Sequence, residues 1–199
     1  AFFSWPSRAR VLAYTADEAS IEASETQIRQ FLVDFTEKSE ARAVHVVAHS
    51  MGNRGLLRSV ATIAAQAAAQ SRKPFGQIIL AAPDVDEGLF RNDANAYPIV
   101  SDRTTHYVSE GDLAVRASRL LHAANRVGFA PPIAILPEID TVNVTGVDLT
   151  LLGHGYVGEC RPVLQDMHEL LSRGTQPRER AMLRERADPA GARYWEIAS

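Results

Sequence analysis

Hydrophobic and polar positions along the chain switch repeatedly between two periods. Residues 43–49, "AVHVVAH", form a β-branched run too short for a helix and too continuous for a half-exposed strand, which is the pattern of a buried parallel strand. "QIILAAP" (77–83), "THYVS" (105–109) and "DTVNVTGVD" (140–148) predict three more strands, and "AFFS" (1–4) predicts the tail of another, stopped by Pro6. Between them the period lengthens. Ile21, Ile28, Phe31, Leu32 and Phe35 recur at helical spacing behind two capping-box patterns, Thr15 with Glu18 and Ser24 with Gln27. An Ala-rich amphipathic run over 53–70 and the stretch "LAVRASRLLHAANRVG" predict further helices. Strands alternating with helices specify an α/β domain of three layers, αβα, around a mostly parallel sheet.

The parallel order says where to look for chemistry, because ligands of such sheets bind beyond the carboxyl ends of the strands. Ser50 follows the first long strand, Asp84 and Asp86 the next, Asp112 the third, and His154 the fourth. A serine hydroxyl is a weak nucleophile at neutral pH and needs an imidazole to take its proton. The imidazole in turn needs a carboxylate to fix its tautomer. The chain order serine, acid, histidine is the one expected when the nucleophile sits on a strand-to-helix turn. Each residue also has a plainer reading. Ser50 can be a connector that caps a helix, His154 a loop histidine between two glycines, and Asp112 a helix N-cap. Asp84 and Asp86 can cap a turn after Pro83.

Composition narrows the classes. With 46% hydrophobic and 23% charged residues over 199 positions, the chain is long and apolar enough for one sizeable core. A net charge of -3, with arginines interspersed among acids, removes the basic footprint of a nucleic-acid binder. The single cysteine, Cys160, forms no disulfide framework or zinc cluster and reads as a small buried residue. Asp84-x-Asp86 has no matching His or Glu cluster, so no metal is expected. No apolar stretch reaches the length of a membrane span.

"AHSMG" (48–52) resembles the nucleophile elbow of the α/β-hydrolase superfamily. In order along the chain, "FFSWPS", "LAAPDVD", "YVSEGDLAV" and "LLGHGY" are similar to phrases of a bacterial, functionally uncharacterised branch of it, often labelled esterase or lipase-like. The resemblance spans most of residues 2–157. Ala48 stands where the G-x-S-x-G motif has its first glycine, and alanine is the next smallest residue. The resemblance implies Ser50 as nucleophile, His154 as general base and acid, and Asp112 as the third member, with Asp84 as the alternative acid. It implies the backbone N–H of Met51 as one oxyanion donor, and Gly52 and Gly55 as residues that keep the first turn of the next helix thin. His49, adjacent to Ser50, is expected to point away from it.

The expected activity is cleavage of a small-molecule or lipid carboxylic ester through a Ser-His-Asp acyl-enzyme, which needs no cofactor. Alternatives are a non-catalytic binding or scaffold protein of the same fold, or an acyltransferase, thioesterase or amidase with the same triad. Trp5, Tyr14 and Tyr156 fall near the same rim and can line an acyl pocket or simply pack, whereas His45, His106, His122 and His168 read as structural. The division expected is a partial hydrolase domain over 1–173 and a charged tail over 174–199, either a loosely attached helix or disordered. Relative to the superfamily, the chain is expected to be N-terminally truncated, lacking the strand beside the nucleophile strand and the loop that carries the second oxyanion donor. Compartment and oligomeric state are not legible.

Overall fold

The computed structural model describes residues 1–8, 14–70, 72–122, 124–145 and 160–197. The four long apolar runs become β1 (Val46–His49), β2 (Phe75–Ala81), β3 (Ser101–Val108) and β4 (Ile139–Asn143), paired in parallel and in chain order. His49 lies opposite Ala81, Ala81 opposite Tyr107, and Tyr107 opposite Val142, so all four strands finish level on one rim. Helices fill the connections. α1 (Tyr14–Ala23) and α2 (Glu25–Lys38) precede β1, and α3 (Gly52–Gln70) joins β1 to β2. α4 (Glu87–Asp93) and α5 (Tyr97–Val100) join β2 to β3, α6 (Leu113–His122) follows β3, and α7 (Arg161–Arg173) comes after β4.

β2 shows why the sheet is covered on both faces. Its side chains alternate, and Ile78 and Leu80 pack with Ile21, Ile28, Leu57 and Val60 of the α1–α3 layer, while Ile79 and Ala81 pack with Val163 and Leu170 of α7. Ile78, Ile79 and Leu80 are fully buried, and each such side chain contributes about 1.5–3 kcal/mol. The layers are αβα, as the patterning predicts. Among the described residues no helix is long and apolar enough to cross a membrane.

Three local expectations differ from the structure. Residues 1–8 carry no strand; Phe2 is exposed and the Phe3 ring packs on Phe31 with centroids 5.5 Å apart. The aromatic run follows a helix face, a use that its composition does not separate from a buried strand. The helical pattern before β1 breaks at Ser24, whose hydroxyl donates back to the Ser20 carbonyl at 2.8 Å and caps nothing in α2, so the box with Gln27 does not form. Finally, the charged C-terminal stretch is neither helix nor tail. β5 (Leu183–Ala187) and β6 (Arg193–Ile197) form an antiparallel hairpin, and β6 joins β4 in parallel, giving the order β1-β2-β3-β4-β6-β5. Only Leu183 and Ile197 of this hairpin are buried, so its sequence shows none of the alternation of an inner strand. At the opposite end, β1 has no strand on its outer side among the described residues, and Val47 is 51% exposed. Residues 146–148 of the predicted fourth strand lie outside the described residues.

Candidate active site

Ser50 is the first residue of the two-residue turn between β1 and α3, with φ +54°. This is the left-handed region, which costs a non-glycine residue of order 1–2 kcal/mol and persists only where the surroundings enforce it. The surroundings here are hydrogen bonds from three elements. The Ser50 N–H donates to the Ala81 carbonyl at 2.9 Å, and the Ser50 carbonyl accepts from the N–H groups of Asn53 at 3.1 Å and Asp84 at 3.2 Å. The Asn53 side-chain amide adds a donor to the Ser50 carbonyl at 2.9 Å and reaches the carbonyls of Ala48 at 3.2 Å and Ala81 at 3.3 Å. The serine is thus lifted out of line with both strand and helix, and its side chain is half-exposed.

Gly55 allows α1 and α2 to pack closely on the first turns of α3, because a Cβ there would sit 2.4 Å from Ile28 Cδ1 and 3.2 Å from Ile21 Cδ1. Gly52 is less constrained; a Cβ would only touch the Trp5 ring at 3.5 Å. Met51 is buried, directly after the serine and before the first residue of α3. Its N–H has no acceptor among the described residues. His49 shares the exposed face of β1 with Val47, the neighbouring position on that face.

The two candidate acids are both buried and differently employed. Asp84 follows β2 and its Oδ1 accepts from the Ser118 hydroxyl at 2.6 Å, with Arg126 Nε 3.6 Å away; its other oxygen accepts from the Tyr14 hydroxyl. Burial first, and then the Asp84 charge, push the Tyr14 phenol far above the usual tyrosine range. Asp112 follows β3 and its Oδ1 accepts from the N–H groups of Ala114 at 3.1 Å and Val115 at 3.0 Å, capping α6. The loop ahead of it is tied to the end of β4, since the Glu110 N–H donates to Thr145 Oγ1 at 3.1 Å. Asp86 caps α4 by accepting from the Leu89 N–H at 2.9 Å.

His154 and Tyr156 lie outside the described residues. Trp5 packs by Gly52, and Tyr14 reaches the rim through Asp84, so two of the three predicted rim aromatics are placed there. α1 is also strapped to its neighbours by Glu18, which pairs with Arg54 of α3 and lies 2.9 Å from His122 Nε2 of α6. An apolar cavity of about 450 Å³ follows the outer edge of β1 between Phe3, Trp5, Phe31 and Phe35, ending at His49 and Gly52 beside the elbow. His45 accepts the Gln77 N–H at Nδ1, 2.9 Å away, and His106 is fully buried, both away from the serine. Cys160 is buried. No group of metal-ligating side chains occurs among the described residues.

A strand with a small residue, Ala48, two places before the serine, a serine at positive φ and a helix starting two residues later are what the elbow of the predicted superfamily requires. The family described as Alpha/beta hydrolase of unknown function (DUF900) matches residues 1–161. The chain belongs to this family. No curated protein and no solved structure matches the chain. Family and fold together make it an α/β hydrolase whose substrate is open. Asn53 and the Tyr14–Asp84–Ser118 cluster of this hydrolase were not singled out as such from sequence; only Asn53 carried a local signal, a polar residue in the first helical turn after the serine.

Proposed function

We propose that this hydrolase cleaves a carboxylic ester through an acyl-enzyme, with Ser50 as nucleophile, His154 as general base and acid, and Asp112 orienting the imidazole. Ser50 Oγ attacks the carbonyl carbon while His154 takes its proton. The oxyanion forms against the Met51 N–H, which the start of α3 also favours through its dipole. Collapse expels the alcohol, protonated by His154. Water then attacks the acyl-serine by the same relay, releasing the acid and restoring the hydroxyl.

The observation that carries this reading is the Ser50 backbone. A plain connector has no need of a positive φ held by bonds to β2, α3 and the Asp84 N–H, whereas a nucleophile does, because this geometry exposes the hydroxyl on the rim. Asp112 is favoured over Asp84 because both oxygens of Asp84 already receive hydroxyl donors from the protein. A fluorophosphonate probe should label the wild-type chain at Ser50. Ser50→Ala should lose labelling and on the order of 10⁴-fold or more in p-nitrophenyl ester turnover while keeping its circular dichroism. Retained turnover in that variant would place the nucleophile elsewhere.

A further inference from the structure

The Ser50–Met51 peptide is gripped at one end only. Its carbonyl accepts three donors: the Asn53 N–H at 3.1 Å, the Asp84 N–H at 3.2 Å and the Asn53 side-chain amide at 2.9 Å. Its N–H, on Met51, has no acceptor among the described residues. In a trans peptide the two groups point in opposite directions, so fixing the carbonyl fixes where the Met51 N–H aims. Donors on the carbonyl also draw charge through the amide and make its N–H a stronger donor, as along any hydrogen-bond chain.

The Asn53 side chain is unusual in what it gives up to do this. It is fully buried, and its amide nitrogen faces three carbonyls, an arrangement that only the NH2 end can satisfy. Its Oδ1 is buried without a partner. A leucine of similar volume would fill the site without an orphaned oxygen, so packing alone does not account for an amide here.

We infer that Asn53 is a positioning residue for the oxyanion site: its side-chain amide aligns and polarises the Ser50–Met51 peptide so that the Met51 N–H meets the developing oxyanion. This rests on Ser50 being the nucleophile. Asn53 itself touches no reacting atom. Its contribution is made when charge builds on the carbonyl oxygen, so its loss acts on kcat and on the affinity for a transition-state analogue, and leaves ground-state binding alone.

The test compares the wild-type chain with Asn53→Ala, Asn53→Ser and Leu170→Val, the last a core change on the opposite face of the sheet that lowers stability without touching the elbow. Measured are fluorophosphonate labelling rate, kcat and KM on a p-nitrophenyl ester, Ki for a trifluoromethyl ketone, and thermal midpoint. Asn53→Ala should cut kcat and labelling rate about tenfold to a hundredfold, less than removal of a whole oxyanion donor, with KM within about twofold and Ki weakened in step with kcat/KM. Asn53→Ser should recover part of the loss, because a serine hydroxyl in a first turn can donate to the carbonyl three residues back. Labelling of Asn53→Ala at the wild-type rate, or a loss no greater than Leu170→Val shows at equal thermal midpoint, overturns this inference and leaves the nucleophile assignment standing. A wild-type chain that does not label overturns both.

Discussion

Asp84 and Asp112 are both buried carboxylates just beyond adjacent parallel strands, and a rule based on position alone does not separate them. Their surroundings do. Asp84 is closed in by side chains from three elements: Tyr14 of α1, Ser118 of α6, and Arg126 from the segment that follows α6. That segment is pressed against the end of β2 so tightly that a Cβ at Gly128 would lie 2.7 Å from the Pro83 nitrogen. Asp112 instead caps α6, with Oδ1 accepting the backbone N–H groups of Ala114 and Val115, in a loop tied to the end of β4. A carboxylate whose oxygens both serve fixed donors is a structural tie between α1, α6 and the sheet. A helix N-cap is compatible with a second task for the same carboxylate.

The largest expected effect breaks the comparison at Asp112. Asp112→Asn keeps a good N-cap, so the fold should survive, yet loss of the negative charge leaves the imidazolium uncompensated and its tautomer unfixed, costing about 10⁴-fold in kcat. Asp84→Asn should leave kcat/KM within about tenfold on the fraction that remains folded. If steady-state kinetics reverse this order, the acid belongs to β2 and the assignment to Asp112 is wrong.

Stability should sort the two the other way. Asp84→Asn strands Arg126, which is only 3% exposed, beside a neutral group, and removing one partner of a buried ion pair typically costs about 3–5 kcal/mol. Asp112→Asn, with the cap retained, should cost well under half of that in urea unfolding. Equal losses would mean that Asp84 is no more of a tie than Asp112.

The smallest effect concerns the sheet beneath both acids. His106 of β3 is fully buried with Nε2 unpartnered, and burial pushes its imidazole down to about 4, helped by the Arg91 charge and opposed by a backbone contact at Val127. The folded value lies below the unfolded one, so the unfolded chain takes the proton first on acidification. The stability that His106 contributes is therefore complete above about pH 6.5 and is lost as pH falls from there towards 4. Between pH 7 and pH 5 the wild-type chain should lose about 2 kcal/mol through this group, and His106→Gln should remove that part of the pH dependence. An unchanged pH slope in the variant would show that His106 takes up its proton over the same pH range in the folded and unfolded chain.

Local order was legible wherever one residue type does one job. The apolar run at 77–83 buries both faces inside the sheet, whereas the run at 43–49, patterned like a buried strand, forms β1 at the end of the sheet with Val47 and His49 exposed; the small residues around Ser50 suit only a tight strand-to-helix turn. The failures have the opposite character. "AFFS" is apolar enough for a strand but lies without one, against α2. "LRERA" and "RYWEI" are too charged to look like strands because an edge hairpin exposes most of its side chains, and its pairing comes from backbone groups that no sequence pattern displays.

The sequence by itself determined the layered α/β architecture, the rim on which Ser50, Asp84 and Asp112 stand, and the elbow, because these follow from periodicity, chain order and residue size over a few neighbouring positions. Tertiary structure alone decided what each rim residue is bound to. That Asp84 meets Tyr14 across 70 positions, and that Asn53 finds the carbonyls of both Ala48 and Ala81, are consequences of α1 docking on the rim and of β1 and β2 ending level. Hydrogen bonds of this kind are set by angles and separations of a few tenths of an ångström between elements distant in the chain, and a one-dimensional pattern does not carry that information.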